Sequence, residues 1–306
     1  MIDIGNSLPE IDDMFDHIML TSELSWKEKI TRKKLEKWLS NFTGEVFNKD
    51  YEQQLALWLL VNFVFYNNDE VSHLCKTLYG DFIHHYASNY SYSSSNVDEI
   101  LTDILDKTMF LGLGRAGESG GFISYLFRKA NKLSNRLFVF DPLNLNPNTE
   151  RIVFIDDVTL SSGKSQAIRY LENDVGNFYG DKEIVLLTLI ASEKAIKNLK
   201  KKGYEAINCI TLSKRDMCFS KKSNAFEIYN DHRNNCKIFA EHYGKKALPS
   251  HPLGYKNAQL AFGFFYNTPN NTLPIFWSER NSWQPIIKRY SKNYGQTKFE
   301  NIGRFV

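Results

Sequence analysis

The chain has 306 residues, a formal net charge of +3 and 42% hydrophobic residues. That is enough apolar material for one large core, or one core with a helical appendage, and too little charge to argue by itself for a nucleic-acid binder. The four cysteines, Cys75, Cys209, Cys218 and Cys236, lack the paired spacing of a zinc site, no signal peptide opens the sequence, and no uncharged apolar run is long enough to span a membrane, so free thiols and a cytoplasmic setting are expected.

Residues 10–90 read as helices. Trp26, Ile30, Leu35, Trp38, Leu39 and Phe42 fall close to a helical stripe, Tyr51 to Phe65 reads as a more buried helix, and Val71 to Tyr86 as a third. Lys27, Lys29, Arg32, Lys33, Lys34 and Lys37 alternate with Glu28 and Glu36, which reads as a solvated helix face. His84, His85, His232 and His242 show no metal-ligand pattern. The serine-rich stretch Ser88 to Asn96 reads as a linker between these helices and an α/β core.

Thr108 to Leu113 reads as a buried strand, running into Gly114-Arg115-Ala116-Gly117-Glu118-Ser119-Gly120-Gly121 and then an amphipathic helix from Phe122 to Ala130. Four glycines in eight residues let backbone amides approach a ligand closely, and Arg115 could neutralise a pyrophosphate. Leu137 to Phe140 reads as a short strand, and 141–150 as a loop. The most informative stretch is Arg151-Ile152-Val153-Phe154-Ile155-Asp156-Asp157-Val158-Thr159-Leu160-Ser161-Ser162-Gly163-Lys164-Ser165: an apolar strand, two adjacent carboxylates, then a loop able to seat a phosphate on the amides and hydroxyls of Ser161, Ser162, Gly163, Lys164 and Ser165. The carboxylates can accept from vicinal ribose hydroxyls or help to hold Mg2+. Gly163-Lys164-Ser165 resembles the end of a Walker A loop, but the glycine required five residues before Gly163 is Val158 and the acids precede the loop, which argues against a nucleoside-triphosphatase. Helix over 166–175, strand over 184–190, helix over 193–202 and strand over 206–212 complete an alternation that implies a parallel sheet.

Phe154 to Ser165 resembles the phosphoribosyl-pyrophosphate signature of type I phosphoribosyltransferases, and the glycine cluster at 114–121 is similar to that family's pyrophosphate loop, one unit upstream. The resemblance implies a parallel-sheet α/β core over about residues 100–215, with Asp156 and Asp157 on the ribose and Mg2+, Arg115 on the leaving pyrophosphate beside Gly114, Ala116, Gly117, Glu118, Ser119 and Gly120, and a mobile catalytic loop between the strands at 137–140 and 151–155. In one respect this chain departs from the pattern: counted from Asp156, the glycine arrives one residue late. Either the loop is lengthened, or Asp157 takes the first acid's place and Val158 replaces the second.

Asp216 to Gly244 is expected to be largely helical, and Leu260 to Tyr266 reads as one more strand between loops dense in asparagine, glycine and proline, which either shape an acceptor pocket or simply turn the chain. Leu253-Gly254-Tyr255-Lys256-Asn257-Ala258, paired with Pro269-Asn270-Asn271-Thr272-Leu273-Pro274-Ile275-Phe276-Trp277, resembles a divergent phosphoribosyltransferase-like family associated with bacterial anti-phage gene clusters, retrons among them. The chain thus reads as three parts, an N-terminal helical region (1–95), the α/β core (96–215) and a C-terminal extension (216–306), packed as one unit, and the resemblance covers nearly all of it. It leaves three functions open. One is an effector enzyme, a transferase or hydrolase acting on phosphoribosyl pyrophosphate or a related nucleotide with Mg2+. The second is a non-catalytic sensor of such a compound. The third is a structural subunit of a complex with a reverse transcriptase or a DNA-binding protein, which alone would bring it to nucleic acid. A homodimer is compatible with each.

Overall fold

The computed structural model describes residues 7–27, 29–90, 96–114, 118–138, 146–160 and 181–290. Strands β2 (Thr108–Gly112), β3 (Arg151–Thr159), β4 (Glu183–Ser192) and β5 (Glu205–Leu212) lie side by side in that order, every neighbour parallel. Their runs of Val, Ile and Leu suit a sheet buried on both faces. Helices α4 (Asn68–Ala87) and α6 (Ser119–Ala130) cover one face, joined by Phe110, Val153, Ile155, Val185 and Leu187 in a single cluster. Helix α7 (Glu193–Lys201) covers the other through Leu199, against Ile152, Phe154 and Leu186. The expected α/β architecture is the observed one.

On the side of β2 away from β3, Phe138 bridges Phe110 in parallel. From β2 the chain therefore passes through α6 to the outer side of the sheet, then returns past β2 to form β3. Strand order reverses between β2 and β3, and open α/β sheets bind ligands at such a reversal, beyond the carboxyl ends of the strands. Of the strand expected at 137–140, a helical turn (Asn135–Leu137) and the Phe138 bridge are seen; 139–140, the loop at 141–145 and the helix expected over 166–175 lie outside the described residues.

A second core joins the two ends of the chain. Helices α1 (Ile11–Leu24), α2 (Arg32–Leu39) and α3 (Lys49–Val61) pack with α8 (His232–Ala247) and the turn Pro274–Trp277 around Trp38, Phe42, Phe239, Tyr243 and Phe276. The Trp38 indole N–H donates to the Ile275 carbonyl at 2.8 Å. Strands β1 (Val64–Tyr66) and β6 (Phe262–Phe264) add a parallel pair, with Val64 opposite Phe262.

Three expected helices are shorter than their sequence patterns. The helix expected from Tyr51 ends at Val61, and the Val-Phe-Tyr at 64–66 pairs with β6, as β-branched and aromatic residues do when a strand partner is offered. The stripe from Trp26 becomes helical only at Arg32, where the Thr31 side chain accepts from Lys34 N. Asp216 to Asn230 is built of turns, held by Asp216 accepting from Ser213 N and its hydroxyl, and the helix begins at His232. Helix α5 (Val97–Asp106), capped by Asn96, is not among the elements expected from the sequence.

The fold's one fully buried carboxylate among the described residues is Glu52. It accepts from Gly44 N (2.6 Å), Val46 N (2.7 Å), Phe47 N (3.0 Å) and the Tyr243 hydroxyl (2.5 Å), bonds that hold its carboxyl below the ordinary range against the opposing effect of burial. Glu52→Ala leaves these donors unmatched and is expected to cost about 3 kcal/mol in urea denaturation at pH 7. Because the folded carboxyl is the stronger acid, its stabilisation is present above the unfolded value of about 4.3 and is lost as pH falls through the folded one. The gap between wild type and variant should therefore narrow below pH 4; a gap independent of pH would refute this role.

Candidate functional site

Strand β2 stops at Gly112, opposite Ile155, and Leu113 N still reaches the Ile155 carbonyl at 2.8 Å. The chain then turns at Gly114, whose φ of +97° lies where side chains are disfavoured. Helix α6 begins so close that a Cβ on Gly112 would lie 2.7 Å from the Gly120 carbonyl, and one on Gly120 would collide with Leu113 O. Bare backbone at 112 and 120 is what brings the amino end of a twelve-residue helix onto the sheet's edge. Ser119 occupies its first turn, with Glu118 before it.

Beside this turn, β3 continues. The sequence suggests a strand that ends at the acids; in the structure β3 runs on through both to Thr159, paired with β4 to Ala191, and it is β2 that has ended. Asp156 and Asp157 therefore sit half-buried one step past the end of β2, next to the glycine turn. Asp157 Oδ1 accepts from the Ser119 hydroxyl at 3.0 Å and from Val158 N at 2.9 Å, and its Oδ2 accepts from the Tyr266 hydroxyl at 3.1 Å. Asp156 Oδ1 accepts from Asp157 N at 3.0 Å.

Tyr266 is the residue that sequence reading missed. It comes just after β6 and lies 109 positions from Asp157, so no local spacing links them. The two segments singled out as distinctive hold it in place: Tyr255 N donates to Asn270 O at 2.8 Å, Leu273 N donates to Leu260 O at 2.9 Å, and Gly254 (φ +84°) lies against the Asn271 carbonyl where no side chain fits. Burial, then the Asp157 charge, push the Tyr266 phenol well above its ordinary value, so it remains a proton donor across the physiological range. Tyr266→Phe should cost about 1.5 kcal/mol in urea denaturation, the low end for a bond to a charged acceptor, because Asp157 keeps two other donors; an unchanged midpoint would show the contact to be idle. Phe122 of α6, 40% exposed, sets its ring 5.0 Å from that of Tyr266 and 6.3 Å from that of Phe265, making an aromatic wall beside the acids. Arg289 lies over the Trp277 ring and donates to the Thr268 carbonyl; burial lowers its pKa, while the Asp157 charge opposes that shift.

Of the expected site residues, Gly114, Glu118, Ser119, Gly120, Asp156 and Asp157 are thus brought to one place. Arg115, Ala116, Gly117 and the phosphate loop Ser161, Ser162, Gly163, Lys164 and Ser165 lie outside the described residues. No group of three or more His, Cys, Asp or Glu side chains able to hold a metal occurs among the described residues. Two adjacent carboxylates with hydroxyl neighbours nevertheless suit Mg2+ of the kind bound chiefly by its ligand's phosphate oxygens, with one or two carboxylates assisting. Thiol chemistry does not fit the site: Cys75, Cys209 and Cys218 are pushed up to about 12 by burial, and no cysteine is bonded to another.

A parallel sheet with a glycine turn and an acid pair at its order reversal defines a phosphoribosyltransferase-like α/β protein. The PRTase-CE family model matches residues 35–289, most of the chain, and the protein belongs to that family. No curated protein and no solved structure matches it significantly. No helix among the described residues is long and apolar enough to cross a membrane.

Proposed function

We propose that the protein binds phosphoribosyl pyrophosphate or a related nucleotide with Mg2+, and transfers or hydrolyses the phosphoribosyl group as an effector enzyme of bacterial anti-phage defence in the cytoplasm. The observation that carries this reading is the Ser119–Asp157 hydrogen bond, which ties the helix start behind the glycine turn to the acid pair at the reversal point. A pyrophosphate on the amides of 114–120 and a ribose on the acids would then lie as close as they do within one ligand.

In this reading Asp156 and Asp157 accept from the ribose hydroxyls, and the amides and hydroxyls of Ser161 to Ser165, with Lys164, hold the 5-phosphate. When the C1–O bond breaks, its electron pair leaves with pyrophosphate. Arg115 and the positive end of α6 stabilise that charge, and the carboxylates face the cationic ribose. An acceptor bonds to C1 and gives up a proton; when the acceptor is water, the reaction is hydrolysis. Bound Mg2+ supplies further charge neutralisation at the phosphate oxygens. The wall of Phe122, Phe265 and Tyr266 gives a flat acceptor a surface to stack on.

A sensor without catalysis is the second reading. Two observations favour it: both Asp157 oxygens already accept protein hydroxyls, and the loop glycine arrives one residue late. Either form would work with a reverse transcriptase or DNA-binding protein, or as a homodimer. Calorimetry with phosphoribosyl pyrophosphate and Mg2+ tests both readings, since absence of binding rejects each. A pyrophosphate-release assay separates them, with release expected for the enzyme.

A further inference from the structure

Charge outside the acid pair is distributed unevenly. Two chain segments meet at Phe265 to Thr268, and each brings cations: Lys29 and Lys34 from the start of the α2 region, and Lys288 and Arg289 from the end of the described chain. Lys29 Nζ donates to the Phe265 carbonyl at 3.4 Å, and Lys34 Nζ to the Lys29 carbonyl at 3.3 Å. The 288–290 strip is pinned to the same place, because Thr268 Oγ1 donates to Lys288 O at 2.8 Å and Tyr290 N to Asn267 Oδ1 at 3.0 Å. Of the other cations of this basic stretch, Lys27 pairs with Asp69 and Arg32 with Asp16, while Lys33 and Lys37 are exposed to solvent. Lys29, Lys34 and Lys288 have no carboxylate within salt-bridge distance among the described residues, and Lys29 and Lys34 are half-buried instead of lying on the solvated face expected for them.

Like charges gathered and partly desolvated without a counter-ion are unfavourable. Burial, then the neighbouring charges of Lys29 and Lys288, lower the Lys34 pKa to about 8, and burial, then Lys288, lowers that of Lys29. A fold that tolerates this arrangement in its free state is complementary to something negative.

We propose that Lys29, Lys34 and Lys288 form an anion site for a phosphate group, built from residues other than those of the glycine turn and the acid pair. Lysines suit this ligand because each ammonium carries three donors, so Lys29 and Lys34 can keep their carbonyl partners and still donate to a dianion without a fixed fork geometry. The site borders the Phe265 carbonyl, next in the chain to Tyr266, whose hydroxyl contacts Asp157. The proposal does not depend on the phosphoribosyl reading.

Inorganic phosphate is the probe, and the thermal midpoint is the readout, in wild type, in Lys29→Gln/Lys34→Gln/Lys288→Gln and in Arg115→Ala/Lys164→Ala. Saturating phosphate should raise the wild-type midpoint by on the order of 5 °C. The triple variant should start from a higher midpoint than wild type without phosphate, since its repulsion is gone, and should lose most of the phosphate-dependent rise. The Arg115→Ala/Lys164→Ala protein should keep the part of the rise that the triple variant loses. A triple variant that responds to phosphate as wild type does, or a wild type that does not respond, overturns the proposal. Failure of the phosphoribosyl reading shows differently, as an Arg115→Ala/Lys164→Ala protein that binds phosphoribosyl pyrophosphate like wild type.

Discussion

Changing Asp156 and Asp157 together to asparagine is expected to weaken binding of phosphoribosyl pyrophosphate with Mg2+ by at least about a hundredfold and to remove any pyrophosphate release. A hydrogen bond to a charged group contributes about 1.5–3 kcal/mol, and each carboxylate converted to an amide loses its charge and half of its acceptor capacity, so two lost interactions reach that factor. The fold should survive. Asp157 takes its partners from Ser119, Val158 and Tyr266, and an amide oxygen in its place still accepts from two of them. Calorimetry gives the affinity, and urea denaturation checks that stability has moved by no more than about 2 kcal/mol. A double variant that binds and turns over as wild type would remove the acids from the site.

The second large effect concerns two neighbouring glycines with opposite signs. In a helix, Gly→Ala ordinarily stabilises by about 0.5–1 kcal/mol. Gly121 has nothing within 4 Å of where a Cβ would stand, so Gly121→Ala should obey that rule. At Gly120 the same methyl would meet Leu113 O, with Leu113 N only 2.7 Å away, and backbone cannot swing aside as a side-chain tip can. Gly120→Ala is therefore expected to destabilise by about 3 kcal/mol as β2 and α6 are forced apart. Because Ser119 moves with α6, the variant should also lose ligand affinity. Equal effects at the two positions, measured by urea denaturation, would mean that the turn is looser than the structure has it.

What could be read from the sequence was what the chain keeps local. The strand at 108–112, the glycine turn, the helix after it and the acid-bearing strand at 151–159 each lie within a dozen residues, so hydrophobic runs and turn residues suffice to place them. The alternation of β4, α7 and β5 was legible for the same reason. Contacts made across the chain were hidden. Tyr266 reaches Asp157 only because β6 pairs with β1, and β1 looked like the end of a helix. Nothing in Val64-Phe65-Tyr66 shows by itself that a strand partner waits almost two hundred residues later. The lysines at 29 and 34 misled in the same way. Their alternation with glutamates suggests a solvated face, whereas Lys34 folds back onto the Lys29 carbonyl and Lys29 onto that of Phe265. The turns at 216–230 escaped because a mixed polar stretch has no period to betray where a helix begins.

The most direct measurement is a crystal structure of the protein grown with phosphoribosyl pyrophosphate and Mg2+. Density for the ligand should place its ribose hydroxyls within hydrogen-bond distance of Asp156 and Asp157, with the pyrophosphate against the amides between Gly114 and Gly120. A ligand bound elsewhere, with both aspartates still turned only toward their protein partners, would contradict the account.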